Sequence, residues 1–269
     1  MNKHRIKILV QKEWLELKND KATLAPLLIL PIMFSIILPS ILIFGGVRNV
    51  LINNVGGVSQ FLENFKSDLI PSNISAENIG LYALLIFFFM PLFLLIPIMI
   101  STVLASSSFV GEKEKRTIEG LLYTPLSDSE LLMGKLIAVL VPSILLTWVS
   151  VFLYGIVLDV LGYGVFESMI FPTVHWLIMM FIIAPLLTFF STMLVLMVSQ
   201  KSKSSKSAQS VAMILLIPII GMMISQASGL MVFGAIFELI LVVILIILNI
   251  ITFNIVTKMF VREKIVLNS

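Results

Sequence analysis

Six long apolar runs, at about residues 22–47, 80–105, 136–158, 171–199, 208–225 and 231–257, are separated by polar stretches. Several exceed the roughly 18 uncharged residues that mark a membrane-spanning helix. Lipid leaves no partner for free backbone N–H and C=O groups, and the runs lack the strict apolar–polar alternation of a barrel strand. The pattern therefore predicts an all-α polytopic membrane protein with six transmembrane helices. Prolines recur inside the runs (Pro31, Pro39, Pro91, Pro97, Pro142, Pro185 and Pro218). Each removes a backbone hydrogen bond, so they are read as shaping the helices rather than ending them.

The segment ahead of the first run, residues 1–21, has its own periodicity. Ile6, Val10, Trp14 and Leu17 fall on one stripe, with Lys7, Gln11, Lys12 and Lys18 largely off it. This predicts a basic amphipathic helix lying at the interface, with Trp14 at the boundary. Membrane anchoring is the simpler role, contact with a partner the sharper one. After the first run comes the largest external loop, 48–79. Within it, residues 60–69 carry a weak amphipathic pattern consistent with a short surface helix, and Asn73-Ile-Ser75 matches a glycosylation sequon. Residues 22–257 form the six-span domain and 258–269 a cytosolic tail.

Composition sharpens the class. Hydrophobic residues make up 59% of the chain and charged residues 12%, with a mean hydropathy of +1.10, too little polar surface for a soluble domain of this length. The net charge of +3 is no nucleic-acid signal. Of the 18 Lys and Arg, all but Arg48 and Lys66 lie in the leader, in 106–135, in 200–207 or beyond residue 257. By the positive-inside rule these segments, and both termini, are cytosolic in a multi-pass protein of the cell membrane. A cleavable signal peptide is not expected, because the first apolar run follows a polar leader and is too long for an h-region. Cysteine is absent, which removes disulfides, thiolate metal sites and a cysteine nucleophile. The two histidines, His4 and His175, are too few for a histidine-based metal site.

Residues 111–135 form a charged island between the second and third runs. Glu112 and Arg116, like Lys115 and Glu119, are spaced to pair across one helical turn. Ile118, Leu121 and Leu122 make a small apolar ridge beside them. Pro125 then breaks the helix, and Ser127-Asp-Ser-Glu130 is a capping box that starts the next one, which runs through Leu131, Gly134 and Lys135 into the third span. The result is helix, turn, helix, with no reactive residue set: a docking element rather than a catalytic one.

This grammar resembles the permease subunits of ABC-2 type ABC transporters. The residues that carry it are Gly111-Glu-Lys-Glu, Thr117-x-Glu119-x-Leu121, Pro125 and Leu131-x-x-Gly134-Lys135, with Lys12-Glu-Trp and Asn19-Asp-Lys21 ahead of Pro26 and Pro31 in the leader. The likeness covers the whole chain in layout and specific residues mainly in the island. Arg116 stands where glycine is common, and Asp128 where a basic residue often follows serine. The resemblance implies that two permease copies, here a homodimer, enclose a pathway. It also implies that two cytosolic ATPase subunits bind the island as a coupling helix. Glu112, Arg116, Thr117, Ile118, Glu119, Leu121, Leu122 and Pro125 are then the ATPase-coupling residues: Ile118, Glu119, Leu121 and Leu122 as groove contacts, the ion pairs as stiffeners. No Gly-x-x-x-x-Gly-Lys-Ser/Thr motif occurs in the chain, so ATP hydrolysis must come from a separate partner. No cofactor is implied.

Glu238 is the one ionisable residue placed inside a span. It is expected either to line the pathway or gate, or to sit near water if 226–238 forms a short outer re-entrant piece. His175, beside Trp176, reads as an interfacial histidine. The linker Lys201-Ser-Lys-Ser-Ser-Lys206 reads as a solvated orientation signal that attracts anionic lipid, with a light ATPase contact as the alternative. The alternatives are a non-ABC secondary transporter or a membrane scaffold and, further off, an intramembrane enzyme. An intramembrane enzyme needs clustered acids, histidines or an activated serine, and a secondary transporter usually shows internal repeats and several intramembrane polar groups. The chain displays neither of those two patterns. The leading expectation is the membrane subunit of an ATP-driven exporter. The apolar walls do not select a substrate, and direction rests on the resemblance.

Overall fold

The computed structural model describes residues 2–44, 71, 74–114, 126–199, 202, 204–228 and 234–259. The external-loop helix expected at 60–69, the sequon asparagine, the heart of the charged island (115–125) and the carboxyl tail lie outside the described residues. A leader helix, α1 (Lys3–Asn19), precedes six helices long and apolar enough to cross a membrane. These are α2 (Thr23–Phe44), α3 (Ile79–Val110), α4 (Asp128–Phe166), α5 (Val174–Ser199), α6 (Ser205–Gln226) and α7 (Ala235–Met259). Among the described residues there is no strand.

The spans match the apolar runs closely, with one exception. The third was expected over 136–158, but α4 is a single helix of 39 residues. At ~1.5 Å per residue it is about 58 Å long, roughly twice the ~30 Å apolar thickness of a bilayer. Its first turns therefore stand outside the apolar layer. They are started by the expected capping box: the Glu130 N–H donates to Ser127 Oγ at 3.3 Å, and the Ser127 N–H donates to Glu130 Oε2 at 3.0 Å.

α3 is the central helix, 78% buried over its apolar window, against 22%, 19% and 22% for α2, α6 and α7. Those outer helices present isoleucine, leucine and valine outward, as a lipid-facing surface requires. The core gathers around Trp176, Tyr154 and Phe93. The rings of Trp176 and Tyr154 stack at 4.9 Å between centroids, and Phe93 meets Trp176 edge-on at 5.0 Å.

The prolines act on helix geometry in a recurrent way. π-helical turns occur at Met33–Ile37, Leu84–Phe88 and Met179–Ile183, each shortly before Pro39, Pro91 or Pro185. A proline offers no N–H to the carbonyl four residues earlier and crowds it. That carbonyl belongs to Ser35, Phe87 or Phe181, inside each π-turn, so the helix widens where the bond is lost. Around the second turn, side chains from three other helices supply donors. Tyr154 Oη donates to Leu85 O at 2.6 Å, Trp176 Nε1 to Ile86 O at 2.8 Å, and Gln226 Nε2 to Phe87 O at 3.2 Å. In lipid these bonds replace water, so the proline kink also ties α4, α5 and α6 to α3.

Candidate coupling site

The leader is more than an amphipathic strip in the headgroup plane. Its buried face is Ile6, Leu9, Val10 and Glu13, and it lies along the first turns of α4. Trp14 and Leu17, expected on the buried stripe, turn toward its edge. Trp14 is half-exposed, with its indole N–H donating to Ala138 O at 3.2 Å. Ala138 is four residues before Pro142, so this is another carbonyl left free by a proline, here satisfied by the leader. The structure adds a role that the periodicity did not suggest, contact of the leader with its own chain's helices.

Close approach explains the small residue at 134. A Cβ on Gly134 would lie 2.5 Å from Leu9 Cδ2 and 3.4 Å from Leu9 Cβ. A larger residue at 134 therefore requires the Leu9 side chain to shift from its place against α4. The amino end is fastened as well. The Asn2 N–H donates to Glu130 Oε1 at 2.6 Å, and Arg5 lies 3.9 Å from Glu130 Oε2. Glu130 thus caps α4 with one oxygen and holds the leader with the other.

A buried ion cluster links the leader to both roots of the island. Lys135 Nζ lies 2.6 Å from Glu112 Oε2 and 3.2 Å from Glu13 Oε1. It also donates to Ser108 O at 2.5 Å. Lys12 Nζ lies 2.7 Å from Glu112 Oε1 and 3.1 Å from Glu16 Oε1, and Ser108 Oγ donates to Glu13 Oε2 at 2.6 Å. The side chains of Lys135, Glu13 and Glu112 are only 3%, 8% and 7% exposed. Removing one partner from such a group leaves a buried charge uncompensated, at a cost of about 3–5 kcal/mol.

The electrostatics fit a mutual arrangement. Burial pushes the Glu13 carboxyl up, but Lys135, the Ser108 hydroxyl and Lys12 outweigh it and hold the group below its usual range. Burial likewise pulls Lys12 down, and Glu112, Glu13 and Glu16 reverse this and hold its ammonium above the usual lysine value. A cavity of about 550 Å³ opens beside the cluster, between the second half of the leader and α3, with Glu16, Asp20 and Ser107 on its wall.

Of the residues expected to couple to an ATPase, Glu112 is placed, in a short helical turn at Gly111–Glu114. Its carboxylate reaches the leader and α4 through Lys12 and Lys135. Arg116, Thr117, Ile118, Glu119, Leu121, Leu122 and Pro125 lie outside the described residues. Glu114 receives the Ser205 N–H at 3.2 Å and its hydroxyl at 3.0 Å, which brings the start of α6 to the same end of the molecule. Sequence reasoning missed Ser108, and it placed Glu13 and Lys135 in the family-like motifs without giving either a role in the site. Glu13 and Lys135 carried a signal, since each is a charge at the edge of an otherwise apolar helical face.

At the other end, Glu238 is buried at 1% exposure in the first turn of α7, and its Oε1 lies 2.8 Å from His175 Nδ1 at the start of α5. Glu238 is thus packed against the start of α5, while residues 229–233 of the re-entrant piece expected at 226–238 lie outside the described residues. His175 is more than an interfacial residue. Among the described residues no group of three or more His, Cys, Asp or Glu could hold a metal ion.

The family comparison agrees with this architecture. The family described as ABC-2 family transporter protein matches residues 8–242, from the leader through the first turns of α7. No match was found among curated proteins or among solved structures. The chain belongs to the ABC-2 transporter family of multi-pass membrane transport proteins.

Proposed function

We propose that this chain is the membrane subunit of an ATP-driven exporter in the cell membrane. It works as a homodimer with a separate cytosolic ATPase, and both of its termini face the cytosol. Family membership supports transport rather than enzymatic chemistry, and the chain's lack of a phosphate-binding loop supports a partner that supplies ATP hydrolysis. The Lys and Arg asymmetry supports the orientation.

One observation carries the reading: the ion cluster of Lys12, Glu13, Glu112 and Lys135 joins the leader to the two chain segments that enter and leave the island. Force applied to the island is thereby delivered to the feet of α3 and α4 and to α1 together. In this reading Ile118, Glu119, Leu121 and Leu122 seat in a groove of the ATPase. The Glu112–Arg116 and Lys115–Glu119 ion pairs stiffen the short helix, Thr117 belongs to its family-like motif, and Pro125 ends it. ATP-driven closure shifts the helices because the docked contacts differ between two states.

Purification from the native host in mild detergent, followed by mass spectrometry, tests this. A stoichiometric ATPase with a phosphate-binding loop is expected, and Leu121→Asp should lose it while still inserting into the membrane. Co-purification unchanged in Leu121→Asp, or recovery with no ATPase at all, would overturn the proposal.

A further inference from the structure

The outer ends of the helices form a polar layer that coupling to an ATPase does not use. Gln226, in the last turn of α6, donates its amide to Phe87 O at 3.2 Å, which leaves its carbonyl oxygen buried and without a partner among the described residues. The Phe87 ring lies 6.0 Å from the His175 ring. His175 Nδ1 meets Glu238 Oε1, and Glu238 Oε2 is buried with no partner among the described residues. Thr173, at the N-cap of α5 two residues before His175, has a hydroxyl in the same condition.

A buried carboxylate in a membrane helix carries a large cost unless its charge is balanced. Its environment supplies one balancing group. The helices packed most closely on α7 are α5, including its π-turn, and along them His175 is the only titratable residue. The segment that presents Phe87, at 84–88, has none. His175 is 20% exposed where Glu238 is 1% exposed, so the imidazole joins outer water to the buried acid.

We propose that His175 and Glu238 form a proton-binding lock between the outer ends of α5 and α7. With one shared proton the pair is imidazolium and carboxylate, net neutral and joined by a charge-assisted hydrogen bond. Losing that proton to alkaline outer water leaves a buried negative charge facing a neutral imidazole. Glu238 Oε2, which has no donor among the described residues, then draws water, and the two helix ends part. Adding a second proton replaces the carboxylate by a neutral acid beside a cation and also weakens the bond. The lock is therefore tightest with one proton between the two groups and loosens when rising outer pH removes that proton. This inference stands on the outer pair alone and holds whether or not an ATPase binds the island.

The chain has no native cysteine, so spin labels can be placed on Val174→Cys and Ile236→Cys, which are 68% and 78% exposed at the two helix ends. In nanodiscs, dipolar broadening between the labels is expected to be strong at about pH 6 and to fall at least twofold by about pH 8.5. Glu238→Gln and His175→Gln should each abolish the pH dependence. The second variant keeps the measurement decisive if the first does not fold. Equal broadening across this range in the unsubstituted background, or a pH response that survives both variants, would overturn the lock.

Discussion

At the scale of single residues, Gly134 and Lys135 illustrate how adjacent positions serve one contact by different physics. Gly134 admits the leader and Lys135 holds it by charge. Gly134→Ala should loosen the leader by about 1–3 kcal/mol, the usual range for overpacking. Leu9→Ala should restore part of the loss, because Leu9 Cδ2 is the atom in the way. Thermal unfolding of the two single variants and the double variant checks this, and additive losses would show that the contact is not the cause. Lys135→Met should cost about 3–5 kcal/mol, toward the lower end because Lys12 still faces Glu112. The combined Glu13→Gln/Lys135→Met variant should lose less than Lys135→Met alone, since no second buried charge is then orphaned.

The same cluster sets a pH window. Glu13 has a depressed value in the folded state, so its contribution is full above the ordinary carboxylate range and is lost as pH falls through the depressed value. Lys12 has a raised value, so its contribution is full below the ordinary lysine range and is lost only as pH rises through the raised one. Docking of the leader should therefore be constant through neutral pH and fail in acid. Hydrogen exchange across residues 3–19, corrected for intrinsic rates, should rise at low pH while exchange in α3 stays protected.

At the scale of elements, the apolar runs located every span because helix length and hydropathy are local properties of the chain. The capping box started α4 at Ser127 as its spacing requires. Two features were not legible. The leader's stripe named Ile6 and Val10, which are buried, and Leu17, which packs against the core, but it included half-exposed Trp14 and passed over Leu9 and Glu13. A charged residue is set down as a solvated one until its partners are known, and one partner of Lys135, Glu13, is 122 residues away. The His175–Glu238 pair was hidden for the same reason, 63 residues apart. The prolines, by contrast, held more information than was taken from them. The carbonyl four residues before Pro91 and before Pro142 is where Gln226 and Trp14 donate. Trp14→Phe should leave the Ala138 carbonyl unpaired and cost about 1–3 kcal/mol, measurable as a lower unfolding midpoint with the span helices intact.

At the scale of the whole molecule, the two ends of the bundle hold charge in opposite ways. The end that gathers the leader, the island roots and the start of α6 is held by interlocking ion pairs beside a polar cavity. Among the described residues, the opposite end has single hydrogen bonds around Glu238, His175 and Gln226. A transporter driven from one side needs the driven end to move as a unit and the far end to release. The central claim is that leader, α3 foot and α4 foot form one rigid body. Substituting both Leu9 and Gly134 by cysteine tests it directly. The Leu9 Cβ lies 3.4 Å from the position of a Cβ at 134, close to the ~3.5–4.5 Å span of a disulfide. ATP hydrolysis by the complex with its co-purified ATPase would be measured with the pair reduced and oxidised. If the body is rigid, the bond forms in high yield and turnover stays the same. A bond that fails to form, or one that forms and halts turnover, would contradict the account.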